Sequence, residues 1–322
     1  MRHHYLLSDN YYQDEFAQKV LPFINRYQEQ LSVTTMDNHQ LNATVYALKH
    51  SDKVVCIAHG YCEFALKYAE IIYIFLKCGY SVAIVEHRGH GYSYRPLSNM
   101  SKVHIDSYKT YVQDYHCFMN SVRGRFGQKK YYLFAHSMGG CVGTLYMEQY
   151  PEAFKAAILS APMFDIDANG LPKDLCIAYG KVKTARHQGE LYLGNQDKDF
   201  DGKATFENSN ATSFQRWNTY YQLRLNDVHY QSCQGTIEWL TASLEAEKAV
   251  HRDVAKLKTP FLMFQAGNDK MVPPEGQDLF LKKTAYGAKY YIANAKHELF
   301  NSTYGVRKEY WQAVLRFLES FD

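Results

Sequence analysis

Short apolar runs alternate with longer stretches of helical pattern along most of this 322-residue chain. Continuous apolar runs are typical of strands buried on both faces, and apolar residues three and four apart are typical of helices that cover a sheet. The runs predict strands at residues 31–36, 40–48, 54–58, 80–85, 131–134, 156–159, 260–265 and 289–293. Helices are predicted at residues 64–77, 106–126, 141–150 and 306–318. This alternation predicts an α/β protein with a mostly parallel sheet and helices on both faces, preceded by a hairpin of the first two strands.

One region, residues 162–252, does not follow this alternation. It is rich in Asn, Asp, Gln and Tyr, and it contains short helical patterns at residues 172–184, 213–225 and 236–249. A loop of about 90 residues without structure of its own is rare in a compact domain. We therefore predict that residues 162–252 form a helical cap, inserted into an α/β core made of residues 1–161 and 253–322.

The most specific motif of the chain lies where the strand at residues 131–134 ends. The turn Ala135-His136-Ser137-Met138-Gly139 follows directly, and the helical pattern at residues 141–150 begins at once. A small-x-Ser-x-Gly sequence between a strand and a helix is typical of a nucleophile elbow, a sharp turn that exposes the serine hydroxyl. Ala135 stands where glycine is more common, so the motif is matched in a relaxed form. We expect Ser137 to be a nucleophile.

A serine hydroxyl at neutral pH needs a base, and the base needs an acid that orients it. In α/β-hydrolases these groups follow in the order serine, acid, histidine. Asp269 comes directly after the strand predicted at residues 260–265, and His297 comes after the strand at residues 289–293. We therefore expect Asp269 to be the acid and His297 the base. Asp165, which follows an earlier strand, is the alternative acid.

The chain has 14 histidines, so the choice of His297 has competitors. His136 adjoins the serine, but neighbouring residues on a tight turn point in different directions, and we expect a packing role for it. His59, His87 and His90 lie in glycine-containing loops, where local hydrogen bonding is the expected role. Among these histidines, only His297 follows the last predicted strand.

The oxyanion that forms during acyl transfer needs hydrogen-bond donors that are already in place. One is expected at the backbone amide of Met138, directly after the nucleophile, and the other in the loop after the first parallel strand. That loop begins His59-Gly60-Tyr61, so the Tyr61 amide is our candidate. Residues 86–93 (EHRGHGYS) look superficially like a phosphate loop, but they lack the third glycine of a dinucleotide fingerprint, and no P-loop lysine follows. We expect a structural turn there.

Composition excludes several classes of protein. The formal net charge is only +3 and no dense run of Lys and Arg is present, which argues against nucleic-acid binding. The seven cysteines show no zinc-site spacing and suit a reducing compartment, and we expect no metal or organic cofactor. The apolar run at residues 71–76 is too short to span a bilayer, and residues 1–30 contain no secretory signal pattern. We expect a cytoplasmic protein. Peripheral contact with the inner face of the membrane and the oligomeric state stay open.

Four segments of the chain carry a resemblance to a known family: residues 59–63 (HGYCE), 86–93 (EHRGHGYS), 135–140 (AHSMGG) and 160–164 (SAPMF). With these segments the chain resembles the lysophospholipase L2 and monoacylglycerol lipase family of α/β-hydrolases, from about residue 50 to its end. Residues 215–217 (QRW) and 236–239 (TIEW) look similar to the cap of that family. Glu86 stands where the family usually has Asp, and Tyr61 is bulkier than the alanine common in monoacylglycerol lipases. The resemblance implies single-chain lipid esters as substrates.

The residues and the resemblance together predict a serine hydrolase that cleaves carboxylic esters of single-chain lipids through an acyl-enzyme. The alternatives are a monoacylglycerol lipase, a general carboxylesterase, a peptidase of the proline-iminopeptidase type, and a non-catalytic binding protein with a hydrolase fold. Aromatic residues of the insertion are expected to select a long acyl chain, unless they only pack the insertion against itself. They are Tyr192, Phe206, Phe214, Trp217, Tyr220, Tyr221 and Trp239.

Overall fold

A computed structural model describes residues 5–193 and 199–322 of the chain. Its strands are β1 (Gln28–Thr34), β2 (Gln40–Tyr46), β3 (Lys53–Ala58), β4 (Ser81–Val85), β5 (Lys102–Val103), β6 (Lys130–His136), β7 (Ala156–Ser160), β8 (Gln234–Gly235), β9 (Phe261–Ala266) and β10 (Gly287–Ile292). Its α helices are α1 (Tyr12–Glu15), α2 (Leu21–Ile24), α3 (Ala69–Lys77), α4 (Tyr108–Phe126), α5 (Met138–Gln149), α6 (Lys173–Ala185), α7 (Phe214–Asn226), α8 (Ile237–Asp253), α9 (Pro274–Leu281) and α10 (Tyr304–Glu319). None of the helices in these two ranges is both long enough and apolar enough to cross a bilayer.

The main sheet has the strand order β1-β2-β4-β3-β6-β7-β9-β10. β1 and β2 form the predicted antiparallel hairpin, with Asn38 in its turn at φ 66°, and β2 also pairs antiparallel with β4. All other neighbours in the sheet, from β4 to β10, are parallel. The predicted α/β class and the mostly parallel sheet are therefore confirmed.

The sheet is buried on both faces, as strand β3 illustrates. Successive side chains of a strand point to opposite faces. Val54, Cys56 and Ala58 accordingly belong to a hydrophobic cluster with α4 and α5, whereas Val55 and Ile57 belong to a second cluster with α3 and α10. Because both clusters are apolar, the strand has no polar face, and this explains why it appears in the sequence as a continuous apolar run.

The N-terminal segment is helical, although no helix is predicted there from the sequence. A π-helical stretch, Phe16–Val20, connects α1 to α2. Tyr12, Phe16, Val20 and Ile24 are buried in the same cluster as α3 and α10. Their spacing of four residues is the signal from which a helix packed on the core could be predicted.

The residues between β7 and β9 contain α6, α7 and α8, which begin within one residue of the three predicted helical patterns. α8 is the longest of them and packs on the core, because Ala242, Ala246 and Val250 are buried in the cluster that contains α5. α7 instead contacts the N-terminal segment, where the hydroxyls of Tyr220 and Tyr12 lie 2.6 Å apart. The division of the chain into core and cap at residues 162 and 252 stays a prediction.

Candidate active site

Ser137 lies on a sharp turn between β6 and α5. Its backbone is left-handed, with φ 52° and ψ −119°, a conformation that is strained for any residue other than glycine. A hydrogen bond to β7 stabilises the turn. In this bond the Ser137 amide donates to the Ser160 carbonyl at 3.1 Å. The close approach of α5 to β3 requires glycine at position 139, since a Cβ there would lie 2.2 Å from the carbonyl oxygen of Ala58. The local geometry is that of a nucleophile elbow.

Asp269 and His297 lie in loops at the carboxyl ends of β9 and β10 and are in direct contact. His297 Nδ1 is 2.7 Å from Asp269 Oδ2, and both side chains are almost fully buried. Asp269 Oδ1 accepts the amides of Met271 at 2.8 Å and Val272 at 3.1 Å. Burial by itself raises the pKa of the Asp269 carboxyl, but the hydrogen bond and charge of His297, together with the two amides, lower the pKa below its usual value. The carboxyl is therefore ionised at neutral pH.

Asp165, the alternative acid, has a different set of partners. Its carboxylate forms an ion pair with Lys173, and the same ammonium group lies 2.6 Å from Glu247 of α8. These contacts join the start of α6 to α8. The structure thus brings Asp269, and not Asp165, into contact with His297.

Ser137 and His297 line the same cavity, which has a volume of about 250 Å³. Its walls are completed by the segment after β3, the end of β6, the insertion and the loops after β9 and β10, through residues Gly60, Tyr61, Cys62, Glu63, Lys67, His136, Asn210, Arg224, Cys233, Met271 and Glu298. The Gly60 amide is engaged by the Glu63 carboxylate at 2.6 Å, whereas the Tyr61 amide has no acceptor among the described residues. Met138, the other predicted oxyanion donor, is the first residue of α5, and its side chain is buried in the core.

A buried ion network, formed by Glu63, Lys67 and Glu298, connects two loops of the cavity. Lys67 Nζ lies 2.7 Å from Glu63 Oε1 and 2.8 Å from Glu298 Oε1. Burial lowers the pKa of Lys67, but the two carboxylates outweigh burial and raise it, so the group keeps its charge. We call these three residues the cavity network. It ties the Gly60 loop to the residue after His297. The network is not among the predictions from sequence, although the spacing of Glu63 and Lys67 suits a helical ion pair.

His136 has a polar role besides its packing. Its Nδ1 is 3.0 Å from the Ser160 carbonyl, its Nε2 is 3.9 Å from Glu63 Oε1, and its ring lies 4.7 Å from the ring of His297. Burial lowers the pKa of His136 to about 4, so the ring is neutral at pH 7. Because a carbonyl only accepts hydrogen bonds, Nδ1 carries the proton and donates to Ser160. His136 therefore fastens the elbow to β7.

The other candidate histidines are engaged in local contacts behind the cavity. His59 Nε2 accepts the backbone amide of His87 at 2.8 Å, and the rings of His59 and His90 lie 5.2 Å apart. Burial lowers the pKa of all three imidazoles. The Glu86 carboxylate closes the adjoining turn by accepting the Tyr92 amide at 2.7 Å.

Comparison with known proteins supports the family and the fold. The family model described as serine aminopeptidase, S33, matches residues 49–303. The chain is 28% identical over 272 residues to a Haemophilus influenzae protein named "Probable lysophospholipase L2", with 83% of each chain covered. It is 25% identical over 251 residues to the monoacylglycerol lipase of Mycolicibacterium smegmatis, covering 77% of this chain and 82% of that protein. Among solved structures, a thermostable carboxyl esterase from Bacillus coagulans in complex with glycerol superposes with a TM-score of 0.74 at 16% identity, covering 91% of this chain and 98% of that one.

Proposed function

The chain belongs to the serine aminopeptidase S33 family of α/β-hydrolases, and we propose that it hydrolyses carboxylic esters of single-chain lipids with a Ser-His-Asp triad. The observation that carries the proposal is the 2.7 Å contact of His297 with Asp269 in the wall of the cavity that Ser137 also lines. The names of the relatives, a lysophospholipase and a monoacylglycerol lipase, support an ester of a single-chain lipid as the substrate.

Each catalytic group has a defined task in this proposal. The ionised Asp269 holds the Nδ1 proton of His297, so Nε2 is free to accept the proton of Ser137. Ser137 Oγ attacks the ester carbonyl, and the amides of Tyr61 and Met138 donate to the oxyanion of the tetrahedral intermediate. The proton on Nε2 passes to the departing alkoxide oxygen as the ester C–O bond breaks, and the acyl group stays on Ser137. Water, deprotonated by His297, then attacks the acyl-enzyme, and the serine leaves with the returned proton.

An apolar groove in the insertion supports the binding of an acyl chain. Helices α6 and α8 border this groove, which has a volume of about 570 Å³ and a mostly aliphatic lining that includes Leu171, Leu175, Leu240 and Leu244. On α8, Trp239 directly precedes Leu240 and stacks on Tyr61 of the active-site cavity at 4.1 Å, so α8 connects the groove to a residue of the cavity wall. We assign residues 162–252 as a cap and this groove as the acyl-chain site.

The aromatic residues of the insertion have other contacts. Phe206, Phe214, Trp217 and Tyr221 follow one another in ring contacts of 5.0 to 5.9 Å. Tyr220 packs against the N-terminal segment through Phe16, with ring centroids 6.0 Å apart. The aliphatic groove is therefore a better candidate for selection of the acyl chain than this aromatic series.

The same site supports a second candidate, the hydrolysis of neutral monoacylglycerols, because one relative carries that name. An aminopeptidase activity, which the family description names, fits the cavity less well. A substrate ammonium group requires a carboxylate partner, but Glu63 and Glu298 share Lys67 and Asp269 binds His297. The carboxylates of the cavity wall are thus already engaged.

The proposal is tested by turnover of p-nitrophenyl esters from acetate to palmitate, below their micellar concentrations, next to lysophosphatidylcholine, a monoacylglycerol and amino-acid p-nitroanilides. Each methylene that enters an apolar site gains about 0.8 kcal/mol, so kcat/KM should rise by roughly tenfold for each two carbons until the groove is full. A steady fall from acetate onward would contradict a lipid substrate. Faster cleavage of the anilides would favour the peptidase, and the absence of any turnover would favour a binding protein.

A matched pair of variants on α6 tests the groove itself. Leu175 lines the groove and is 66% exposed, whereas Val182 on the same helix is 49% exposed and does not line it. Leu175→Asp should flatten the dependence of kcat/KM on chain length while leaving acetate turnover unchanged. Val182→Asp should behave like the wild type. Equal behaviour of the two variants would argue against the groove as the acyl site.

A further inference from the structure

Two permanent cations line the active-site cavity, and their surroundings differ. Lys67 is neutralised by Glu63 and Glu298, each within 2.8 Å. Arg224, which enters the cavity wall from α7 of the insertion, has no carboxylate of the described residues within ion-pair distance. Among the described residues, Arg224 is therefore the cation of the cavity wall that has no carboxylate in contact with it, although the charges of the lining side chains Glu63, Glu298, Lys67 and Arg224 sum to zero.

Arg224 is held in place by carbonyl groups and an aromatic ring. Its Nε donates to the Tyr230 carbonyl at 3.0 Å and its Nη2 to the Ser232 carbonyl at 2.8 Å, and the guanidinium lies 4.8 Å from the ring centroid of Phe200. A guanidinium has five N–H groups, so three of them have no acceptor among the described residues. The side chain is thus held in a fixed orientation, and it still has N–H groups that are available to a ligand.

A second arginine, Arg95 of the loop after β4, donates to the same segment that binds Arg224, residues 229–232. Arg95 donates to the Met100 and His229 carbonyls and to the Ser232 hydroxyl, at 2.9 to 3.2 Å. Within the described ranges no carboxylate pairs with Arg95 either, and its Nε is buried without an acceptor there. Arg95 and Arg224 both donate to Ser232, Arg95 to its hydroxyl and Arg224 to its carbonyl. The two guanidinium groups therefore lie close together, and Arg224 is the one that lines the cavity.

We propose that Arg224, reinforced by Arg95, binds the phosphate in the head group of a lysophospholipid while Ser137 attacks the acyl ester. This inference rests on the proposed function and names its substrate as a phosphate-bearing single-chain lipid. In such a lipid the acyl ester and the phosphate are attached to the same glycerol unit, so one small cavity can receive both. A guanidinium matches phosphate oxygens with parallel N–H donors, and the attraction is stronger in a cavity wall than in bulk water.

The same geometry discriminates against monoacylglycerols. Their third glycerol carbon carries a neutral hydroxyl, which cannot compensate the charge of Arg224. Binding of a phosphate gives the guanidinium an ionic partner at contact distance, whereas binding of a hydroxyl leaves it without one and displaces part of its water. Arg224 is therefore a specificity-determining residue, and its contribution is expected in the ratio of the two activities.

The experiment compares lauroyl lysophosphatidylcholine with monolauroylglycerol, which have the same acyl chain, below their micellar concentrations and with the full-length protein. Arg224→Gln should lower kcat/KM on the lysophospholipid by at least ~10-fold and leave the monoacylglycerol within about twofold. Arg224→Lys, which keeps the charge, should retain part of the lysophospholipid activity. Arg125→Met is the control, because Arg125 pairs with Glu29 on the surface, and it should change neither activity.

A measurement on the wild type is independent of how the variants fold. Glycerophosphocholine should inhibit monolauroylglycerol turnover competitively and much more strongly than glycerol. Inorganic phosphate that inhibits as strongly as glycerophosphocholine would overturn the assignment to a lipid head group. An equal loss on both lipids in Arg224→Gln, or an unchanged ratio, would overturn this inference alone. A wild type that cleaves neither lipid would overturn the proposed function and the inference together.

Discussion

Glu63 and Glu70 lie close together in the chain, and each is buried against positively charged side chains. Glu63 borders the active-site cavity, whereas Glu70 joins α3 to other helices. Glu63 is part of the cavity network. Glu70, on α3, meets two arginines that are fully buried: Arg216 of α7, at 2.8 and 3.0 Å, and Arg307 of α10, at 2.5 Å. Asp9 of the N-terminal segment completes this second group at 2.6 Å from Arg216. We call these four residues the clamp network.

The glutamate and the two arginines of the clamp network are sealed, with Asp9 at its edge 30% exposed, whereas the cavity network borders an open space. Arg216 and Arg307 are 0% exposed, while the side chains of Lys67 and Glu298 are 12% and 15% exposed in a cavity wall. When a buried charge loses its partner, it stays unpaired if water cannot reach it. A charge that borders a cavity can be hydrated instead. We therefore expect that breaking the clamp network mainly costs stability, because it fastens α7 to α3 and α10. Breaking the cavity network should mainly cost turnover, because it positions catalytic loops.

The largest expected effect is on ester turnover, at Ser137, the proposed nucleophile in the active-site cavity. Ser137→Ala should lower ester turnover by at least ~10³-fold, because the acyl-enzyme can no longer form. A fluorophosphonate probe should label the wild type and leave the variant unlabelled, while the melting temperature stays the same. Labelling that persists in the variant would place the nucleophile elsewhere.

The acid is expected to have an effect of similar size. Asp269→Asn should lower kcat by an order of ~10³ or more, because His297 then loses the partner that fixes its tautomer and orientation. Asp165→Asn is the matched control and should stay within roughly tenfold of the wild type, since Asp165 pairs with Lys173. Stopped-flow or steady-state kinetics on one ester decides between them, and the reverse ranking would move the acid to the loop after β7.

The next prediction concerns Glu70 of the clamp network. Glu70→Gln should lower the free energy of unfolding by about 3–5 kcal/mol, because two buried arginines lose their shared carboxylate. The kcat of the folded protein should change little. Glu29→Gln breaks an exposed pair with Arg125 and should cost less than about 1 kcal/mol in the same denaturant titration. A stable Glu70→Gln protein with impaired turnover would reverse the comparison.

Acid should weaken the fold through His136. Burial lowers the pKa of this imidazole from 6.5 to about 4, so between these values the unfolded chain binds a proton that the folded protein does not. The neutral ring thus contributes stability in full above pH 6.5, and the contribution is lost as the pH falls toward 4. His136→Asn should reduce this acid-induced loss in the free energy of unfolding by about 2–3 kcal/mol. The exposed His50→Asn is the control and should leave the pH profile unchanged.

The smallest expected effect is at Lys67. Lys67→Met leaves Glu63 and Glu298 without their shared cation, so the Gly60 loop and the loop of His297 lose a fixed spacing, and kcat should fall by roughly tenfold with little change in KM. Lys67→Arg should restore most of the loss. The loss of stability should be smaller than in Glu70→Gln, because the cavity can admit water. Lys181→Met, which breaks an exposed pair with Glu245, is the control. If Lys67→Met lost as much stability as Glu70→Gln and kept its kcat, the expected difference between the cavity network and the clamp network would be wrong.

Local pattern in the sequence is sufficient to predict much of this molecule. Strands such as β3 and β6 are predictable because burial on both faces makes them continuous apolar runs. The order in which Ser137, Asp269 and His297 follow their strands makes them candidates for one site, because parallel strands end at the same edge of a sheet. The N-terminal helices are missed although their apolar residues are four apart, because α1 and α2 are only four residues long and Pro22 interrupts the pattern. α9 is missed as well, although its Pro274 at the first helical position is a recognisable start signal.

The pairing of buried charges is decided by the tertiary structure alone. Glu70 binds Arg216 and Arg307, which are 146 and 237 positions away, and Lys67 binds Glu298 at a separation of 231. Hydrophobic periodicity determines which face of an element is buried, but it carries no information about which distant charge meets that face. That depends on the angles and offsets at which helices pack on the sheet. The sequence by itself thus determines the fold class and the candidate triad, and only the packing leaves Arg224 in the cavity without a described carboxylate partner.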